Sequence, residues 1–485
     1  VGGEMNAYQL LLPQCTLLFG VLVLAIFEIL GIQAHYRQSW LVHTLSLALA
    51  FLQQLLLYRL PTSLFARGGM ILDGTTQVFS LSVLLLSLLI QFNRREEKYS
   101  YLPQISILTL GITFFALFAV QSNRIFFGVI SIIGMVWLGQ AALAADTKIK
   151  NQADIVYSGI VRGLIFLMVG TFLCIMCVSI FGESQMDEIQ RVIVRGSVKE
   201  FPVFAIEVFI LFLASLMVGI PPFDGVFGLS RRKASWSLSL GLTGIFAIVG
   251  VNIFVRWGIL LFTRPAIGAM ELEPLTAWNI LLVIRGVAVV GLVLTPLLAL
   301  LNGNIRGSFL FFILNPFVQA LFTLSFGQRE TLAVGIAQII VAVAMIGLLI
   351  STIQALDFSP EATLQDWLAL GRKDMMTCLS CILALSSAAG LAPFYGSLLM
   401  QKTLSINSYL GLFLLLNIVL SGFYVGRLLT LAFHRGSGGG VDPHVSRGQK
   451  IWFATQFIIL IFMGIFWQPL YKYGAFSIRQ FFGEV

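Results

Sequence analysis

The chain has 485 residues, 58% of them hydrophobic and 11% charged, and its 30 Lys and Arg against 22 Asp and Glu give a formal charge of +8. A soluble domain carries roughly 25% charged and about 45–50% apolar residues, so the composition excludes a soluble enzyme, a nucleic-acid-binding domain and a disordered chain. The basic residues are scattered over many short loops, where topology and lipid headgroups account for them without a nucleic-acid partner.

Apolar runs bounded by charges, Pro/Gly or polar clusters predict fourteen membrane spans, near 9–31, 39–58, 76–93, 103–121, 125–145, 157–181, 203–222, 236–262, 277–302, 307–326, 330–354, 375–396, 408–433 and 450–471. Most are close to the ~20 residues that cross a bilayer. The short connections Gln121–Arg124 and Gly303–Arg306 predict antiparallel neighbours, and the polar stretches 182–202, 263–276, 355–374 and 435–449 read as loops, the first with room for a short surface helix. An open sheet would leave edge groups unsatisfied in lipid, and the alternation of a barrel is absent. The expected fold class is therefore an all-α polytopic membrane bundle. Val1–Met5 lacks the marks of a signal peptide, so no cleavable leader is expected. Loops after odd-numbered spans carry 15 Lys and Arg, the opposite side and both tails 11, a bias that favours both termini on the non-cytoplasmic side.

Five cysteines, Cys15, Cys174, Cys177, Cys378 and Cys381, lie in apolar segments, four of them as two C-x-x-C pairs whose sulfurs share a helix face. An intramembrane metal or iron–sulfur site is one reading, and small apolar packing residues the other. The second is favoured, because nothing nearby supplies further Cys or His ligands. His35, His43, His434 and His444 fall in loops or near helix ends and form no metal constellation. No dinucleotide-binding, Walker or nucleophile-elbow motif stands in a plausible context.

An internal echo is more telling. Gly219-Ile-Pro221-Pro222-Phe-Asp-Gly225 and Gly390-Leu-Ala-Pro393-Phe-Tyr-Gly396 share the pattern G-[IL]-[PA]-P-F-x-G, 171 residues apart from Gly219 to Gly390. Proline removes a backbone donor and clashes with the preceding turn, so a helix breaks there. Matching Gly/Pro interruptions in two parts of a membrane protein mark inverted repeats, where ion paths are usually found. Two unrelated kinks could also share the pattern.

With these motifs the chain resembles the antiporter-like membrane subunits, and in particular subunit N (also called subunit 2) of the proton-pumping NADH:quinone oxidoreductase, respiratory complex I. The resemblance runs in order along nearly the whole chain: Leu10-Leu-Leu-Pro13, Asp73-Gly-Thr-Thr-Gln-Val-Phe79, Ser122-Asn-Arg-Ile-Phe-Phe-Gly128, Phe254-Val-Arg256 before Trp257, Leu300-Leu-Asn-Gly-Asn-Ile-Arg306 and the Gly390–Gly396 break. It implies fourteen helices in two inverted five-helix repeats with helices 7 and 12 broken. The matching organisation is 1–102 for helices 1–3, 103–262 for the first repeat, 277–434 for the second, and 450–485 for helix 14 and the tail. It also implies membrane-arm partner subunits, lipid contact, and a bacterial inner membrane or an equivalent energy-transducing membrane. Quinone, flavin and iron–sulfur centres are expected in the partners and no cofactor in this chain.

Relatives of this kind move protons along buried Glu, Lys and His residues at mid-membrane, where a desolvated Lys has its pKa lowered towards neutrality. Carried over position by position, the fifth-helix Glu falls on Ile130, the seventh-, eighth- and twelfth-helix Lys on Met217, Ala247 and Met400, and the tenth-helix His at or beside Pro316. All are apolar, and Met is nearly Lys without its ammonium. Lys402, two positions beyond Met400, is the one candidate for a displaced group. Arg162, Glu207, Arg256, Arg285 and Arg427, with Glu28, are the charges left inside apolar segments, and Glu207 is expected to pair with Arg162 one helix back. Three readings follow: a complex I-type membrane-arm subunit with its own channel silenced, a proton-translocating subunit N whose ionisable residues are displaced, and a transporter or scaffold outside respiration with the four Arg lining an anion path.

Overall fold

The computed structural model describes residues 10–30, 36–57, 63–65, 69–94, 102–146, 152–182, 185–196, 199–221, 235–265, 271–276, 279–356, 358, 362–391, 393–395, 402, 405, 408–434 and 445–478. Among them, thirteen helices are long and apolar enough to cross a membrane, from Leu12–Ile29 to Arg447–Ile465, and Met375–Ala389 is a shorter apolar helix. Together they match the fourteen predicted spans one for one. Helices dominate because each satisfies its own backbone polar groups within the segment. The protein is an all-α polytopic integral membrane protein.

Several local features depart from the sequence reading. The tenth span is two helices, Ile305–Phe312 and Asn315–Leu324, stepped at Ile313–Leu314. Pro316 stands in the first turn of the second, where a missing N–H costs nothing. The last span ends at Ile465, and a separate helix runs Gln468–Ile478. The expected loop 263–276 contains an antiparallel hairpin, Thr263–Pro265 with Leu272–Pro274, and a second small hairpin joins Ser63–Phe65 to Met70–Leu72. The short helix foreseen within 182–202 is Met186–Val194; Met186, Ile189 and Ile193 are its buried residues.

The chain divides into two compact units. The first comprises Val1–Met217, Ile248–Ile280 and Ser477–Val485. Within it the helices Leu102–Gln121 and Ile125–Asp146 pack closely because glycines meet large side chains, Gly111 against Leu138 and Gly134 against Phe115. The helix Ile253 ends passes into a π-helical segment, Phe254–Leu260, which is buried over its first six residues. Gly128 admits the Trp257 ring so closely that a Cβ there would overlap it.

The second unit comprises Val218–Ala247 and Leu281–Phe476, with the helix Arg329–Ala355 buried along most of its length. Both broken-helix motifs begin here, and their glycines share one left-handed conformation, φ 78° at Gly219 and 75° at Gly390. Another pair of details is alike. Arg124 forms an isolated antiparallel bridge with Gln185 in the first unit, and Asn304 one with Thr363 in the second. Each pair joins the start of a membrane helix to the segment beyond the next one. Pro222, Gly225, Gly396 and Met400 lie outside the described residues.

Candidate functional site

Met217, Ala247 and Pro316 are all buried, and all are apolar. Ile130 is different: it is 45% exposed, so it faces out of this chain, while Val129, Ile132 and Val136 are the buried residues of that stretch.

The interior around Pro316 is polar although Pro316 itself is not. It holds a connected network of amides and hydroxyls, each member more than one turn from either end of its span. Asn417 Nδ2 donates to the Leu292 carbonyl at 2.6 Å and to Asn315 Oδ1 at 2.7 Å, and its Oδ1 accepts from Gln319 Nε2 at 2.9 Å. Asn315 Nδ2 donates to the Ala388 carbonyl at 2.8 Å and to Ser421 Oγ at 3.2 Å, while its Oδ1 also accepts from Thr295 Oγ1 at 3.2 Å. Gln338 Nε2 reaches Gln319 Oε1 at 3.5 Å. The step at Ile313–Leu314 places Asn315 at the start of a new helix, and the spacing of Asn315 and Gln319, one turn apart, sets both on one face. The Ala388 carbonyl is an acceptor because its helix ends at Ala389, leaving the last carbonyls without intrahelical donors.

These residues escaped a reading that searched for charges. A signal was present: Asn315, Gln319, Gln338 and Asn417 are uncharged polar residues inside apolar spans, the kind that join helices by hydrogen bonds in lipid. The first unit has a smaller network of the same chemistry. Gln14 donates to Gln121 Oε1, and Gln121 Nε2 donates to Ser80 Oγ at 3.1 Å and to Gln54 Oε1 at 3.4 Å.

The intramembrane charges are held at separate places. Arg256 lies in the π-helical segment and pairs with Asp73, both essentially buried. Asp73 also caps the helix Gly74–Arg94, accepting from Thr75 Oγ1 at 2.6 Å and the Thr76 amide at 2.8 Å. Burial pushes its carboxyl up, but the Arg256 guanidinium and the two threonine hydrogen bonds outweigh that and leave it below its ordinary 3.8. Glu207, buried, accepts from Thr276 Oγ1 at 2.9 Å, a partner the sequence reading did not foresee. Arg162 is half-buried in the helix Gln152–Phe181. Glu28 accepts from Gln104 at 3.0 Å in an exposed position.

Arg285 donates to the Ser325 carbonyl at 2.9 Å and lies over the Phe326 ring, whereas Arg427 donates to the Leu300 carbonyl at 2.6 Å. Arg285 and Leu300 stand fifteen residues apart on the helix Ile280–Leu301, about 22 Å at the helical rise. These two guanidiniums therefore do not converge on one cavity. Lys402 pairs with Glu330 at 2.6 Å, and Glu330 is in the first turn of Arg329–Ala355 and exposed. Lys402 thus sits at the end of a span and does not restore a mid-membrane cation. His43, expected near a helix end, is buried within the helix Tyr36–Leu56.

All five cysteines are free, and among the described residues no three His, Cys, Asp or Glu side chains gather as a metal site. Around Pro316 the interior offers a set of neutral donors and acceptors.

No protein-family model and no curated protein matches the sequence. Solved structures do. The chain is similar to a chain of respiratory complex I from Thermus thermophilus, over 95% of its own length and 98% of the other, with a TM-score of 0.72 and 14% identity. It is similar to a chain of the Mrp complex from Dietzia sp. DQ12-45-1b over 97% and 98%, with a TM-score of 0.76 and 14% identity. A chain of the membrane-bound sulfane sulfur reductase, an archaeal respiratory membrane complex, aligns over 98% of both lengths with a TM-score of 0.80 and 14% identity. At these identities the likeness establishes the fold, shared end to end with chains of three membrane complexes.

Proposed function

We propose that the chain is an antiporter-like membrane-arm subunit of a complex I-type respiratory assembly, of the subunit N kind, whose own proton path is silent. Its role is then structural and coupling: it packs against neighbouring membrane subunits and lipid, while quinone, flavin and iron–sulfur chemistry belongs to partner chains. The end-to-end likeness to chains of multisubunit complexes supports the assembly, and a bacterial inner membrane or its equivalent is the setting it fits.

The observation that carries the silent path is the Asn315–Gln319–Asn417 network. Moving a proton through the membrane centre requires side chains that gain and lose it there. Amides do neither near neutral pH, and hydroxyls titrate far above it. The network's hydrogen bonds run to carbonyls, hydroxyls and other amides on neighbouring helices, which joins those helices. Met217, Ala247 and Pro316 add no titratable group.

Purification in mild detergent, with identification of the co-purifying chains and assay of quinone reductase activity, tests the assembly. Other membrane-arm subunits and activity are expected. Isolation as a lone monomer would overturn the proposal.

A further inference from the structure

The helix Ser408–Ala432 carries an open groove of about 620 Å³ lined by Val419, Gly422, Phe423, Gly426, Arg427 and Thr430. Two glycines one turn apart lower the wall: a Cβ at Gly426 would meet nothing within 4 Å, and one at Gly422 only the tip of Leu391 at 4.0 Å. The groove is long and directional. Val419 lies near the middle of the helix, and Thr430 two residues from its end, so the lining covers eleven steps, about 16 Å at the helical rise. Half of a ~30 Å hydrocarbon core is about 15 Å, the depth of one leaflet.

Chemistry changes along that length. The inner end is Val419, Gly422 and Phe423, all apolar. Arg427 and Thr430 stand at the outer end, both exposed. One guanidinium nitrogen of Arg427 is fixed by the Leu300 carbonyl, which orients the plane, and no carboxylate pairs with it among the described residues. An apolar trough of leaflet depth with a positioned guanidinium at its headgroup end matches a single phospholipid: an acyl chain along the glycines and a phosphate on Arg427 with the Thr430 hydroxyl.

We propose that this groove is a binding site for one anionic phospholipid. A partner helix docking on the glycine pair is the competing occupant. It would place its contact around the glycines and would not need a cation at the bilayer surface. The leaflet-matched length and the cation at one end favour the lipid.

The test uses the full chain in its purified assembly, reconstituted with spin-labelled phosphatidylglycerol or phosphatidylcholine, and reads the motionally restricted lipid fraction. The wild type should prefer phosphatidylglycerol by about fivefold, the worth of one basic residue at a membrane surface. Arg427→Gln should bring that preference close to one, Arg427→Lys should keep most of it, and Gly426→Leu should remove one restricted lipid of either headgroup. Equal preference in the wild type and Arg427→Gln would overturn the proposal. So would Gly426→Leu shedding a co-purifying chain while the restricted lipid stays unchanged, which would assign the groove to a partner helix.

Discussion

Asp73→Asn isolates the value of the buried ion pair in the first unit. Asparagine keeps a side-chain oxygen for the Thr76 amide and so preserves the cap, but it leaves Arg256 as a buried guanidinium with no counter-charge. Removing one partner of a buried pair costs about 3–5 kcal/mol, whereas replacing both by neutral groups is close to neutral. Asp73→Asn should therefore lower stability by about 4 kcal/mol, and Asp73→Asn with Arg256→Met should recover at least ~2 kcal/mol of that. Denaturant unfolding in detergent micelles, followed by tryptophan fluorescence, measures both, since Trp257 adjoins Arg256 in the same buried segment. The pH dependence carries a sign. Because the folded-state carboxyl lies below its ordinary 3.8, its contribution is complete above the unfolded value and is lost as pH falls through the folded one. The penalty should stay constant between about pH 5 and 8 and shrink below about pH 4. A penalty under ~0.5 kcal/mol, or a double variant showing the plain sum of the two single losses, would refute the pair as the element that fastens this segment.

Asn417→Leu removes three hydrogen bonds of the second-unit network; at ~0.6 kcal/mol for each interhelical bond in a membrane, unfolding should show a loss of about 2 kcal/mol while quinone reductase activity of the assembly stays unchanged. Gly128→Leu forces a side chain into the Trp257 ring, so expression and thermal stability of the first unit should fall by more than the ~1–3 kcal/mol of ordinary overpacking. Gly390→Ala places a Cβ on a left-handed helix end and should cost about 1 kcal/mol, measurable as a lowered unfolding midpoint.

Much of the fold was legible in the sequence because lipid leaves the backbone few choices. Apolar length located every span, and Gly219 and Gly390 announced two helix ends, since glycine shortly before proline is a strong stop signal. The π-helical segment and the two small hairpins were not legible. The hairpins have strands of three residues, too short to show alternation, and the π-helical segment carries Arg256, whose partner Asp73 lies 183 residues away. The sequence displayed both residues in separate motifs but offered no means of joining them, and it nominated Arg162 for Glu207 where the structure places Thr276. The candidate site divides in the same way. That Met217, Ala247 and Pro316 are apolar could be read directly. That amides gather beside Pro316 could not, because Asn and Gln in an apolar run look like minor interruptions until three helices bring them together.

The most direct test of the silent path is the proton-to-electron stoichiometry of the purified assembly in proteoliposomes, compared between the wild type and variants carrying Gln319→Leu or Asn417→Leu. Equal stoichiometry in all three is predicted, since the network ties helices and carries no proton. A fall in protons per electron with electron transfer intact would contradict the account and return this chain to the pumping subunits.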